Sequence, residues 1–215
     1  SDLESLCRSA SSNKLRGETI GYRGIGFKSV VGFAKEIHLF SGEIELTFSK
    51  ELTKKEISQA DRVPLIRIPH NVSESEQNKF SQIKNVLISE GYTTIFVFTG
   101  VTVNEIESEF EFFKYNSLLF LKNIEKTEIT LNSTTITEVI KNKINDSQFK
   151  STLKSNNEVS NWLISYENTT AIAFSLLNNE IVKISKEESL VHAFLPTEDI
   201  NGLGVLINGN FSTDP

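Results

Sequence analysis

Hydrophobic and polar residues follow different spacings in the two halves of the chain. In the first half, segments with apolar residues three or four positions apart alternate with short segments in which every second residue is apolar. The first spacing is typical of amphipathic helices and the second of half-buried strands. After about Ile124 the two-residue alternation dominates, with Asn-containing turns between the segments. The pattern predicts an α+β fold whose second half is mostly antiparallel sheet.

Four strands are predicted in the first half. EIHLF and EIELTFS alternate on both sides of a Ser-Gly pair, which predicts a hairpin over residues 36–49. PLIRIPH (64–70) predicts a short strand bounded by Pro64 and Pro69. TTIFVFT (93–99) is rich in β-branched and aromatic residues, and this composition predicts a buried strand.

Helices are predicted between these strands. Apolar residues from Phe27 to Ala34 have helical spacing. A longer helix is predicted to begin at Ser73 or Ser75, either of which can cap it, and to end at Gly91. The apolar residues assigned to one face of that helix are Phe80, Ile83, Val86 and Leu87.

The sequence TVNE at 102–105 fits a capping box. It predicts another helix, which continues with apolar positions as far as Leu118. Beyond it, TEITLNSTTITEV and AIAFSLLNNEIVKIS predict hairpins, and LVHAFLP and GVLINGNFS predict two more strands. We therefore expect a first domain over residues 1–100 and a second, with a helix and a β-rich part, over residues 101–215.

The stretch GETIGYRGIGFKSVVGF (17–33) carries closely spaced glycines and leads into one of the predicted helices. A Walker A loop needs lysine directly after its last glycine, but Phe27 separates Gly26 from Lys28. A dinucleotide fingerprint reads G-x-G-x-x-G, whereas Gly21, Gly24 and Gly26 give the reverse order. Both motifs follow a hydrophobic strand, and NKLRGET is too polar for one. A glycine loop before a helix still suits an anion, because backbone N–H groups can approach it closely. The alternative is a turn that only packs helix on sheet.

The residues around the glycines resemble a known family. DLESLCRSASSNK followed by IGYRGIGFKSV resembles the lid and glycine-rich box of the GHKL ATPases, the superfamily of gyrase, heat-shock protein 90, histidine kinases and MutL. It is most similar to sacsin-like bacterial proteins of the heat-shock-protein-90 type. The likeness is dense from Ile20 to Val30 and weaker over most of the remaining chain. It implies a partial GHKL (Bergerat) α/β sandwich followed by a β-rich, transducer-like domain.

The resemblance also implies roles for the residues of the box. Gly21, Gly24 and Gly26 would form the loop over the nucleotide phosphates. Lys28 and Ser29, at the start of the following helix, would face the phosphates, or else be solvated.

Two further segments acquire roles from the family. Ser12 and Lys14 would belong to the lid that folds over bound nucleotide; the alternative is a polar loop without a ligand. Thr93 would lie near the adenine; the alternative is a strand threonine that binds nothing. The family usually has glycine before this threonine, where this chain has Tyr92.

The expected cofactors are ATP and Mg²⁺. In the family, a Glu that activates water, an Asn that binds Mg²⁺ and an Asp that binds adenine all precede the segment that DLESLC resembles. We therefore expect these residues on the N-terminal side of this chain, and we expect the chain alone not to hydrolyse ATP. The absence of methionine also indicates a fragment or a processed chain.

The implied function is an ATP-binding or ATPase module that works as a nucleotide-driven clamp, in a chaperone-like or bacterial defence protein. Its expected partners are nucleotide, a second copy in the ATP-closed state, and other domains of a larger protein. The alternative is a non-catalytic scaffold that keeps the fold. A histidine-kinase domain is the third candidate, but it leaves the β-rich continuation unexplained.

Composition adds few constraints. The chain has 215 residues, a formal net charge of -6 and a single cysteine, so internal disulfides and cysteine-rich metal sites are excluded. An acidic balance argues against nucleic acid as a partner. No segment predicts a membrane span or a signal peptide, and we expect a cytoplasmic location.

The remaining candidates are expected to be structural. His38 lies in a strand pattern and is interpreted as a structural residue rather than a ligand or base. Cys7 is expected to be half-buried in a helix, and Trp162 to belong to the core. Alternate carboxylates from Glu105 to Glu111 are interpreted as a solvated helix face.

Overall fold

The computed structural model describes residues 2–7, 32–59, 62–111, 115–121, 123–131 and 134–211. Three predicted features lie outside these ranges: the lid with Ser12 and Lys14, the whole glycine loop, and most of the helix from Phe27.

The chain divides into two compact units, and the boundary between them falls between Ser108 and Glu109. Both contain antiparallel sheet, and the described helices are few. The described helices are α1 (Asp2–Cys7), α2 (Lys50–Glu56), α3 (Glu74–Ser89), α4 (Val103–Glu111) and a 3₁₀ helix (Tyr115–Phe120). No helix of the described residues is both long enough and apolar enough to span a membrane.

The first unit contains a four-stranded sheet in the order β3-β2-β1-β4. Its strands are β1 (Glu36–Ser41), β2 (Ile44–Ser49), β3 (His70–Asn71) and β4 (Thr94–Thr99). β1 and β2 form the predicted hairpin, with Ser41 opposite Ile44. The turn needs glycine because Gly42 has φ +59°, a conformation that side chains disfavour.

Alternation along β1 distributes its side chains between two hydrophobic clusters. Ile37 packs on one face with Phe48 and Leu65. Phe40 packs on the other face with Phe80 of α3. His38 is on the same face as Phe40, because residues two apart on a strand point the same way.

Helix α3 begins as predicted, and Ser73 rather than Ser75 caps it. Ser73 Oγ accepts from the backbone N–H of Glu76, while Glu76 Oε2 accepts from the Ser73 N–H. The predicted apolar face is only partly right, because Ile83 is 53% exposed and Val86 is 49% exposed. The side facing the sheet carries Phe80 and Leu87, together with the polar residues Glu76 and Lys84.

Two strand predictions need correction. Residues 64–68 form turns and irregular structure, and only His70–Asn71 pairs, with β2. Leu65 and Ile66 are both buried although they are consecutive, which a half-buried strand does not allow. β4 is a strand as predicted, but it is not buried throughout: among the described strands it lies at the sheet edge, and Phe96 and Phe98 are each more than one-third exposed.

The predicted helix after the Thr102 capping box is shorter than expected. Thr102 and Glu105 make the reciprocal bonds of the box. The described part of helix α4 runs to Glu111, and Leu118 lies in the 3₁₀ helix instead. Leu118, Leu119 and Phe120 are consecutive and all buried, whereas one face of an amphipathic α-helix buries only some of three successive residues.

The second unit is built on a nine-stranded sheet in the order β12-β11-β13-β9-β8-β7-β6-β5, with β10 paired to β9. All described pairs are antiparallel except β11 with β13. The strands are β5 (Lys126–Thr130), β6 (Thr134–Lys143), β7 (Gln148–Ser155), β8 (Glu158–Glu167), β9 (Thr170–Leu177), β10 (Glu180–Val182), β11 (Leu190–Ala193), β12 (Leu195–Ile200) and β13 (Leu206–Asn208).

Both predicted hairpins are confirmed. β5 pairs with β6, and β9 pairs with β10. The second turn uses Asn178 and Asn179, both at positive φ, as a two-residue hairpin turn requires. One side of the sheet packs on the 3₁₀ helix, and this core includes Trp162, as predicted.

Candidate functional site

Thr93 is the described member of the predicted nucleotide site. It lies just before β4 and is exposed. The other predicted site residues lie outside the described ranges; they are Ser12, Lys14, Gly21, Gly24, Gly26, Lys28 and Ser29. Their arrangement around Thr93 therefore stays a prediction.

Thr93 lines a cavity of about 480 Å³ in the first unit. The cavity lies where the β1–β2 turn meets the C-terminal half of α3 and the start of β4. Two glycines shape its rim: Gly42 at φ +59° makes the hairpin turn, and Gly91 at φ +96° ends α3. The chain then enters β4 through Tyr92 and Thr93.

Hydroxyl groups define one side of this cavity. The antiparallel register places Ser41 opposite Thr94, and their hydroxyl oxygens are 2.9 Å apart. Ser41 and Thr93 line the cavity, whereas Thr94 does not belong to its lining and holds the Ser41 hydroxyl in place. These groups can both donate and accept, so this side can bind the polar edge of a ligand.

A charged pair and aromatic rings define the other side. Lys84 Nζ donates to Glu45 Oε1 at 2.6 Å, and the ammonium lies 5.4 Å from the ring centre of Phe40. Because the pair neutralises itself, this side adds little net charge to the cavity. Tyr92 is 48% exposed, so its ring is available to stack on a flat ligand.

The second unit contains another cavity, of about 440 Å³, lined by Lys141, Phe149 and Tyr166 among others. Lys141 Nζ donates to the carbonyl oxygen of Leu121 at 2.6 Å. Burial lowers the pKa of Lys141, and Glu125 opposes that shift. Burial also raises the pKa of Tyr166, so its phenol stays protonated at neutral pH. The cavity therefore combines the polar groups of Lys141, Tyr166, Asp146 and Asn168 with the apolar side chains of Phe149 and Ile164.

One group of described residues combines three side chains of the kind that bind metals: Glu36, His38 and Glu76. The strand pattern around His38 predicts a structural role for this residue, and neither glutamate was predicted as a ligand. The spacing Glu36-x-His38 on a strand was a usable signal, because it places both side chains on one face. Glu76 follows 38 positions after His38, and only the packing of α3 on β1 brings it close.

Cys7 and Trp162 agree with their structural interpretation. Cys7 is half-buried in α1, and burial raises its pKa, which disfavours the reactive thiolate. Trp162 is 5% exposed, and its Nε1 donates to Ser160 Oγ. His70 and His192 lie in different units, so the chain's three histidines do not form one site.

Comparisons with protein-family models, with curated proteins and with solved structures find no match to this chain.

Proposed function

We propose that this chain contains part of the ATP-binding module of a GHKL-type protein that works as a nucleotide-driven clamp. The observation that carries the proposal is the order of residues from Ile20 to Val30, IGYRGIGFKSV. Glycines at these positions allow backbone N–H groups to approach phosphate oxygens, and the predicted helix after them adds the positive end of its dipole.

The pairing of β1 with β4 supports the proposal. By the family resemblance, β1 corresponds to the strand that follows the glycine box, and β4 corresponds to the strand that carries the threonine near adenine. In this chain they are direct neighbours, with Ser41 opposite Thr94. Both segments therefore border one cavity, as a single nucleotide site requires.

The chemistry of that cavity is compatible with a purine base. Its volume of about 480 Å³ lies within the usual range of ligand pockets, about 300–1,000 Å³. The hydroxyls of Ser41 and Thr93 and the exposed ring of Tyr92 suit the polar edge and flat face of an uncharged heterocycle. Phosphate and Mg²⁺ would be held elsewhere: the phosphates by the glycine loop, and the metal by an Asn expected on the N-terminal side.

Replacing Gly26 by Val in the full-length protein tests the proposal. A branched side chain at this position would block the approach of the backbone to phosphate, so Mg-ATP binding should be lost. Isothermal titration calorimetry measures the Mg-ATP affinity of wild type and variant, and circular dichroism checks that the variant keeps the β-sheet signal of the wild type. Gly32→Val is the matched control, because a Cβ atom on Gly32 would meet nothing within 4 Å.

Equal affinity in the Gly26 variant would refute a phosphate role for the loop. Absence of ATP binding in the wild-type protein would instead favour the scaffold alternative. A second variant, Thr93→Val, keeps the side-chain shape and removes the hydroxyl. It should weaken binding of ATP and of adenosine alike, because the proposed contact is with the base.

A further inference from the structure

A strand and a helix of the first unit bring one imidazole and two carboxylates together. Glu36 and His38 are two apart on β1 and therefore share a face. Glu76 lies in the first turn of α3, which packs on that face. One ligand atom from each of the three residues lies within 4.8 Å of the other two.

His38 is the central residue of this cluster. It is 1% exposed, and its Nε2 atom has no hydrogen-bond partner among the described residues. Glu36 Oε2 is 4.0 Å from that nitrogen, too far for a hydrogen bond. A buried polar atom without a partner is costly, so this nitrogen indicates a ligand that the protein alone does not supply.

The other side of the His38 ring is held in place. Nδ1 lies 3.0 Å from Oγ1 of Thr47, the residue directly opposite on β2. The ring of Phe80 packs against the imidazole, with centroids 4.8 Å apart. If the Nδ1–H donates to Thr47, Nε2 carries the free lone pair. A hydrogen bond of this kind commonly orients a metal-binding histidine.

Glu76 is held by the helix cap. Its Oε2 accepts from both the N–H and the hydroxyl of Ser73, at 3.0 and 2.9 Å. Its Oε1 lies on the histidine side, 3.7 Å from Nδ1. The capping box therefore fixes the carboxylate while leaving one oxygen for a second interaction.

The charges around His38 favour a cation. The carboxylates of Glu36 and Glu76 each lie within 4.0 Å of a nitrogen of the imidazole, and their negative charge attracts a cation. Lys79 is a nearby cation that opposes this attraction.

We propose that Glu36, His38 and Glu76 bind a divalent transition-metal ion of the Zn²⁺ class through His38 Nε2 and one oxygen of each carboxylate. An imidazole ligand selects Zn²⁺ and similar ions over Mg²⁺ and Ca²⁺. Around Zn²⁺, bonds of about 2.1 Å place tetrahedral ligands roughly 3.4 Å apart. Glu36 Oε2 lies 4.0 Å from Nε2 and, with a side chain 33% exposed, has room to move the last part of the way. Glu76 Oε1 lies 3.7 Å from Nδ1, so this oxygen must turn toward Nε2 while Oε2 keeps its bonds to Ser73.

Zinc titration of the metal-free full chain at pH 7.5 tests the proposal. We expect one equivalent of Zn²⁺ to bind in the micromolar range or tighter, with no comparable binding of Mg²⁺. His38→Gln and Glu36→Gln should each weaken Zn²⁺ binding about 100-fold, and Thr47→Val about 10-fold because it only orients the ring. Absorption of the Co²⁺-loaded chain reports the coordination geometry independently.

His70→Gln is the matched control. His70 Nδ1 also lies near a carboxylate, 3.3 Å from Glu56 Oε1, but within the described part of the chain it belongs to no cluster of three metal-binding side chains. This variant should bind Zn²⁺ like wild type. Wild type that binds no Zn²⁺ would overturn the proposal, as would unchanged affinity in Glu36→Gln, which remains informative if the buried His38 variant fails to fold.

Discussion

His192 makes the stability of the second unit sensitive to mild acid. The side chain is fully buried in β11, and its ring packs edge-on against Phe120 with centroids 4.9 Å apart. Burial lowers the pKa of His192 from 6.5 to about 4, although hydrogen bonds to the backbone of Leu190 and Ile207 oppose the shift. The folded unit therefore holds this imidazole neutral at pH values where the unfolded chain protonates it.

The difference between the pKa of His192 in the unfolded and folded states sets how much stability is lost. Because the folded pKa is depressed, the stabilisation from the neutral imidazole is fully present above pH 6.5 and is lost as the pH falls toward about 4. The complete loss amounts to roughly 3.4 kcal/mol, and about 2 kcal/mol of it is lost between pH 7.5 and pH 5.0. This is a large share of the stability of a typical domain.

Urea unfolding at pH 7.5 and pH 5.0 measures this loss. Trp162 is the only tryptophan of the chain and lies in the core of the second unit, so its fluorescence reports that unit. His192→Gln removes the titrating group, and the pH-dependent loss should shrink by about 2 kcal/mol relative to wild type. His70→Gln, in the first unit, should keep the wild-type dependence. An equal loss in wild type and His192→Gln would refute the reasoning.

Two further substitutions test packing and capping. Phe120→Ala should destabilise the second unit by about 3–5 kcal/mol, because it leaves a cavity between the 3₁₀ helix and the sheet. Urea unfolding followed by Trp162 fluorescence measures this loss. The control is Leu177→Ala, at a residue 62% exposed, which should change the free energy of unfolding by less than about 0.5 kcal/mol. Ser73→Ala should cost about 1 kcal/mol because α3 loses its cap. Amide hydrogen exchange in the first turn of α3 should then be faster, and unchanged exchange would contradict the capping role.

Elements specified by neighbouring residues were predictable from the sequence. The cap of α3 needs only Ser73 and Glu76, three positions apart, and the β1–β2 turn needs only Gly42 at positive φ. The Asn178–Asn179 turn is likewise set by its own two residues. In each case the interaction that fixes the structure lies within a few positions of the residues that signal it.

Predictions that depended on distant packing failed. The segment 64–68 has the composition of a strand, but burial of the consecutive residues Leu65 and Ile66 prevents strand alternation. The apolar sequence up to Leu118 suggested a longer helix, but Leu118 lies in a 3₁₀ helix and is buried in the core of the second unit. Which apolar residues become buried is decided by the surface opposite them, and a local pattern does not contain that information.

The same distinction applies to the candidate sites. The proposed glycine box rests on a local signal, the eleven consecutive residues 20–30. The cluster of Glu36, His38 and Glu76 combines a strand with a helix that begins more than thirty positions later, so its third member had no local signal. The Thr93 cavity is similar, because its polar groups come from β1, α3 and the start of β4.

The proposed metal site and the cavity use the same two elements but do not depend on each other. Glu76 and Lys84 lie on the sheet-facing side of α3, eight positions apart, which corresponds to about 12 Å along a helix. At the cavity, the Lys84–Glu45 pair and the Ser41–Thr94 hydroxyls fix the helix and strands without any metal. At the cluster, the Ser73 cap and Thr47 orient Glu76 and His38 without any nucleotide. A protein that binds no zinc would therefore leave the nucleotide proposal intact, and one that binds no ATP would leave the metal proposal intact.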